Sequence, residues 1–353
     1  MKKPHILIIG MLVGLTFVLS ACAPGPRVSG TPGLELSGDQ AFVAYGNSLY
    51  ALKANSGTVE WTYPEESKNT VLFFAQPLVV DDNVFVGDVA KTFHKIDRSN
   101  GNSVWTFTGA NGYFIGQANE GHGMVFAPNN DGNLYALDLQ GNLQWVFETQ
   151  HFIWSQPQIG PDAVYLSSMD RFVYAISTDG KQLWAKEMAG AVVASPVLSE
   201  DAGTLFVGSM GSDFVALKTT DGQLAWSFTA QNSIWGQAIL ADNKLYFADT
   251  GGFLYILDPL SGAEKSRVEI GEPVIGGLIA LPDGIALVTE KGNLKVLEFD
   301  GSTRWEARIS GNVFQRPVAS DDYLMVAAVD GDNMIYAFDV QSGAQKWSVT
   351  PKK

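Results

Sequence analysis

Seven tryptophans in this chain stand four residues after a glycine: Gly57/Trp61, Gly101/Trp105, Gly141/Trp145, Gly180/Trp184, Gly222/Trp226, Gly301/Trp305 and Gly343/Trp347. One more register fits between the fifth and sixth pairs, with Gly262 in place and Ser266 in the tryptophan slot. The slots step by 44, 40, 39, 42, 40, 39 and 42 residues. A fixed period of this size signals a repeat architecture, and overlooking it would misassign the whole fold. Ahead of each slot lie two apolar runs of strand type, such as Val125-Phe126-Ala127 and Leu134-Tyr135-Ala136-Leu137. Turn chemistry separates them, as at Asp131-Gly132-Asn133, Asp179-Gly180 and Asp300-Gly301. Four short antiparallel strands per repeat make one propeller blade. A linear stack would need capping segments, and only six residues follow Trp347. The sequence therefore predicts an all-β chain, an eight-bladed β-propeller of four-stranded antiparallel blades over residues 34–350. Residues 34–37 fit equally as the start of the first blade or as a strand completing the last one.

Composition agrees with that class. Of 353 residues, 46% are hydrophobic and 17% charged, enough apolar material for a core and too much for a disordered chain. The 37 glycines and the 9 Trp, 11 Tyr and 20 Phe favour turns and strands over helices. The net charge of −14 argues against nucleic acid as a partner, because displacing phosphate counterions takes a basic face. Cys22 is the single cysteine, so neither an intrachain disulfide nor a thiolate zinc cage can form.

The motif Leu-Tyr-Ala-Leu-Asp-x-x-x-Gly-x-x-x-Trp, as in residues 134–145, resembles the pyrroloquinoline-quinone (PQQ) type repeat. The resemblance covers about residues 34–350. It implies that Trp61, Trp105, Trp145, Trp184, Trp226, Trp305 and Trp347 dock neighbouring blades beside the repeated glycine, a structural role. An indole buries about 150–250 Å², an upper bound of roughly 4–6 kcal/mol at about 25 cal/mol per Å². With Ser266 in the slot, blade six is expected to have the loosest outer packing.

Residues 1–21 read as an address. Lys2 and Lys3 precede an apolar run from Ile6 to Val18, shorter than the ~20 residues a membrane span requires. Leu19-Ser20-Ala21-Cys22 resembles the bacterial lipobox, which implies cleavage before Cys22 and lipidation of that residue. Residues 22–33, with Pro24, Pro26 and Pro32, then form a flexible tether. Losing residues 1–21 moves the net charge from −14 to −16, so an anionic bilayer would repel the body and the acyl chains must hold it. The expected location is the cell envelope outside the cytoplasm. With Ala23 rather than Asp after the cysteine, this is the outer membrane in a Gram-negative cell, and otherwise the outer face of the cell membrane.

The links into the inner strands align around the ring: Phe74-Ala75-Gln76-Pro77, Ile115-Gly116-Gln117-Ala118, Trp154-Ser155-Gln156-Pro157, Val193-Ala194-Ser195-Pro196, Trp235-Gly236-Gln237-Ala238, Ile275-Gly276-Gly277-Leu278 and Phe314-Gln315-Arg316-Pro317. They predict a collar at the channel mouth of Phe74, Trp154, Trp235 and Phe314 beside Gln76, Gln117, Gln156, Gln237 and Arg316. The hairpins on that face add Arg171 and the acids Asp88, Asp131, Asp170, Asp249, Glu290 and Asp330, expected to be solvated. Two readings of the collar stand. The glutamines could serve only one another while the aromatics wedge the blades, or the collar could bind an extended peptide or small polar ligand.

Nothing marks an active site. There is no P-loop, G-x-G-x-x-G, G-x-S-x-G or H-E-x-x-H motif. His94, His122 and His151 occupy different repeat positions, which argues against a shared metal site, and residues 330–333 are too short for a calcium loop. The quinone-dependent dehydrogenases share this propeller type and would imply PQQ with calcium, but they commonly clamp the quinone with adjacent cysteines that this chain lacks. A lipobox followed by eight blades resembles the BamB family of outer-membrane β-barrel assembly lipoproteins. That resemblance implies a non-enzymatic scaffold without cofactor, docking an envelope protein or peptide. No partner-contact motif of that family can be placed here. The alternative is a propeller that binds PQQ or a small ligand, as a quinone-dependent dehydrogenase would.

Overall fold

The computed structural model describes residues 30–66 and 71–352. The leader, Cys22 and most of the tether fall outside the described residues. Thirty-two strands form eight four-stranded antiparallel sheets, each built from one contiguous stretch. The chain is an eight-bladed β-propeller. The first strand of each blade is innermost, since first strands of neighbouring blades lie side by side about the axis.

The sequence pattern explains the layering. Middle strands are packed on both faces, so they read as continuous apolar runs; β14 (Ala163–Ser167) is buried at every position. Outer strands cover one face only and alternate, as β20 (Leu224–Thr229) does. The core is divided accordingly into eight apolar layers, one at each junction between blades.

In every blade the pairing of third and fourth strands carries a bulge just ahead of the tryptophan slot. The bulge bends the outer strand and aims the indole at the next blade. Trp105 shows the joint: its Nε1–H donates to the Leu139 carbonyl at 3.0 Å, and its ring lies where a Cβ on Gly141 would come within 2.8 Å. Gly141 has φ +88°, so the turn and the close approach both require glycine.

Ring closure uses the same joint. Trp347 of the last blade donates to the Ala54 carbonyl of the first at 2.9 Å, and its ring covers Gly57. The ambiguous segment begins the first blade: β1 (Gly33–Ser37) pairs with β2 (Gln40–Tyr45), Leu34 opposite Val43. Among the described residues no strand is exchanged between first and last blades.

At the sixth junction the missing indole has been replaced in two parts. Val268 and Ile256 fill the space over Gly301. The hydroxyl of Tyr246, fully buried on β22 (Lys244–Ala248), donates at 2.8 Å to the Phe299 carbonyl. That carbonyl occupies the place in its turn that accepts the indole N–H elsewhere. The slot that Ser266 leaves open, where the loosest outer packing is expected, is thus partly refilled by other side chains.

Candidate functional site: the channel mouth

The links carrying the collar are tied down by the hairpins beside them. Asp249 accepts from the Asn232 backbone N–H at 3.0 Å and from the Tyr255 hydroxyl at 2.8 Å through one oxygen, and from the Gly251 and Phe253 N–H groups through the other. Asp131 holds the Asn111 N–H and the Tyr135 hydroxyl in the same way, and Asp170 holds the Gln150 N–H and the Tyr174 hydroxyl. Burial and the paired carboxylate push the Tyr135 hydroxyl up to about 12, so it stays a donor. In the second blade His94 takes the tyrosine's position, with Nε2 2.9 Å from Asp88 and Nδ1 3.0 Å from the Tyr63 hydroxyl. Asp88 and Asp249 are fully buried. Solvation, expected for the hairpin acids, is thus wrong for these two, because each carboxylate satisfies backbone donors that would otherwise be orphaned.

The links enclose a cavity of about 370 Å³ on the axis. Gln76, Gln117, Gln156 and Gln237 line it with Trp154, Trp235, Phe314 and Arg316, as the aligned links predict. Phe74 does not line it: its ring lies under Gly30, where a Cβ would come 1.5 Å from Cδ1. Arg171 is also outside, exposed on its hairpin and paired with Glu187. Thr31, assigned by sequence to the tether, lines the mouth and accepts from Gln315 Nε2 at 3.3 Å. On the side of blades six to eight, glycines let the links touch; a Cβ on Gly236 would be 2.3 Å from the Gly277 Cα.

Three of the four collar glutamines donate within the ring. Gln117 Nε2 donates to the Pro77 carbonyl and Gln156 Nε2 to the Ala118 carbonyl, each at 3.1 Å. Gln76 Nε2 donates at 2.8 Å to Glu35, which Gln117 also approaches at 3.3 Å. Glu35, on β1, was not among the sequence candidates. Burial raises its carboxyl above the usual range, opposed by Gln76, the Arg316 charge and Gln117. Arg316 Nη1 donates to Gln237 Oε1 at 3.0 Å. Burial pulls its guanidinium down, and Glu35 opposes that shift. Arg316 thus lines the mouth, and Glu35 stands behind the lining glutamines, each of them partly buried. Trp154 stands at the rim, 39% exposed, its Nε1–H donating to Asn130 at 3.2 Å.

A family model described as "Outer membrane protein assembly factor BamB" matches residues 19–152, 169–255 and 250–352. The chain belongs to this family. A BamB of Nitrosomonas eutropha is 32% identical over 135 residues, 34% of this chain and 32% of that protein. A BamB of Yersinia pestis is 22% identical over 212 residues, 52% of this chain and 53% of that protein. The chain thus spans about half or less of the curated relatives it matches. The crystal structure of BamB from Moraxella catarrhalis superposes with a TM-score of 0.75 at 14% identity, over 86% of this chain and 94% of that one, a likeness of fold. The name shared by these BamB relatives is that of an assembly factor.

The mouth of this BamB-family ring does not fit a calcium-held quinone. Calcium takes six to eight oxygen ligands, typically several carboxylates. No acidic residue is among those lining the cavity, and Glu35 already accepts from two glutamines. Among the described residues no group of three or more His, Cys, Asp or Glu could hold a metal.

Proposed function

We propose that this protein is a non-catalytic scaffold of outer-membrane protein assembly, tethered through a lipidated Cys22 and docking an envelope protein or peptide at its channel mouth. Membership of the BamB family across most of the chain carries the reading. The lipobox at residues 19–22 supports the tether, and the acidic body makes a lipid anchor the natural means of attachment. The collar supports docking: aromatic faces beside amides suit an extended peptide, and the braced links hold them in place before binding.

The full chain, purified from detergent-solubilised envelopes, should bring down a component of outer-membrane barrel assembly. Cys22→Ser should move the protein out of the membrane fraction. A full chain that emerges monomeric and alone would overturn the proposal, and a membrane-bound Cys22→Ser chain would overturn the tether.

A further inference from the structure

We infer that the channel mouth captures the C-terminal carboxylate of a peptide, with Arg316 as its anchor. This rests on the mouth being the docking site and names the chemistry it would recognise. A guanidinium presents five N–H donors, and Arg316 uses one of them, to an amide oxygen of Gln237. No described carboxylate lies within 4.0 Å of it. A partly buried guanidinium with one protein partner keeps its remaining donors open to a ligand that enters the mouth. Glu35, behind the lining, is turned to Gln76 and Gln117 instead. A planar anion arriving from the mouth can therefore take the free fork of Arg316 in two parallel hydrogen bonds.

Three features select a neutral chain ending in a single carboxylate. Glu35 stands by to repel a second negative charge, which disfavours a phosphate dianion. The acidic body, −14 over the full sequence and more negative once Lys2 and Lys3 are lost, disfavours ligands that carry further acidic groups beyond the one carboxylate. Phe314, on Arg316's own link, and Trp235, on the link whose Gln237 accepts from Arg316, offer apolar faces for the last side chain. On the opposite arc, Gln117 and Gln156 turn their N–H donors into the ring, which leaves their amide oxygens to accept peptide N–H groups. The cavity of about 370 Å³ has room for a chain end.

The test uses the intact lipoprotein in detergent and the peptide acetyl-Gly-Ala-Ala-Phe, as free acid and as amide, with binding read by calorimetry. The acid should bind at least tenfold tighter than the amide. Arg316→Gln should bring the acid down to the amide's affinity and leave the amide unchanged. Glu35→Gln should tighten the acid by removing repulsion, and the double variant Glu35→Gln/Arg316→Gln, which removes both charges together, checks that Arg316→Gln acts on binding rather than folding. Equal binding of acid and amide, or competition by inorganic phosphate as strong as by acetate, overturns the carboxylate inference and leaves the mouth as a docking site. If neither peptide binds, and Trp235→Ala with Arg316→Gln still co-purifies the envelope partner, docking lies elsewhere and the mouth reading itself falls.

Discussion

At seven of the eight blade junctions one indole does three things: it fills the gap between sheets, donates to a turn carbonyl and demands glycine beneath it. Trp145 does so over Gly180, with its Nε1–H 3.0 Å from the Thr178 carbonyl. The glycine is constrained twice, by conformation and by contact, and the two constraints separate experimentally. Gly141→Ala would place a Cβ at φ +88° and 2.8 Å from the Trp105 ring, a rigid neighbour. The left-handed conformation costs about 1 kcal/mol, and the overlap about 1–3 kcal/mol more. Gly46→Ala has φ +55° but nothing within 4 Å of the added Cβ, so it should lose only the conformational part. Denaturant unfolding of the two variants should differ by more than 1 kcal/mol, and equal losses would show that the indole is not what fixes the glycine.

At the scale of the element, blade six tests how far the joint can be rebuilt from other parts. Its Tyr246 is pushed up to about 12 by burial, with Asp242 and Asp300 adding to the shift, so the hydroxyl remains a proton donor. Tyr246→Phe keeps the ring and leaves the Phe299 carbonyl with only the long contact from Lys244 Nζ at 3.4 Å. The expected loss is about 1–2 kcal/mol. Amide exchange should rise in blades six and seven and stay unchanged on the far side of the ring; a uniform rise would mean that the hydroxyl is not part of this joint. The sequence made the period and the blade count readable because glycine under indole is a steric demand repeated in register. It made most of the collar readable too, since the links align. What it hid depended on distance across the ring: Glu35 and Arg316 are neighbours only after β1 joins the first blade, and Tyr246 meets Phe299 only when blades six and seven pack. The hairpin acids were hidden differently. Asp131 and Tyr135, or Asp170 and Tyr174, stand four residues apart, a spacing that could have signalled a side-chain clamp rather than solvated turns.

For the whole molecule, closure by packing alone means that the position of the chain ends is incidental. The last junction joins Leu34, Val43 and Leu52 to Met325, Ile335 and Ala337 in an apolar layer like the other seven. Elsewhere an outer strand reaches the next inner strand through a link: residues 149–157 run from β12 (Leu143–Glu148) to β13 (Gln158–Ile159), and residues 309–317 from β28 (Thr303–Arg308) to β29 (Val318–Ala319). Only between β32 (Gln345–Val349) and β1 is that link missing. A circular permutant should therefore fold when a link of about nine residues joins those strands, a length typical of such connections. New ends can be opened at Leu260, 91% exposed in the turn before β24 (Glu264–Glu269). Closing one loop while opening another changes the loop entropy by only about 1 kcal/mol, so denaturant stability should stay within about 2 kcal/mol of the parent. The permutant's sixth blade would be built from both ends of the chain, and its sheet would hold the ring shut by strand pairing. A permutant much more stable than the parent would show that the natural seam between blades eight and one is the weak point, whereas one that fails to fold would show that the order of the strands along the chain, and not the packing of the blades, decides closure.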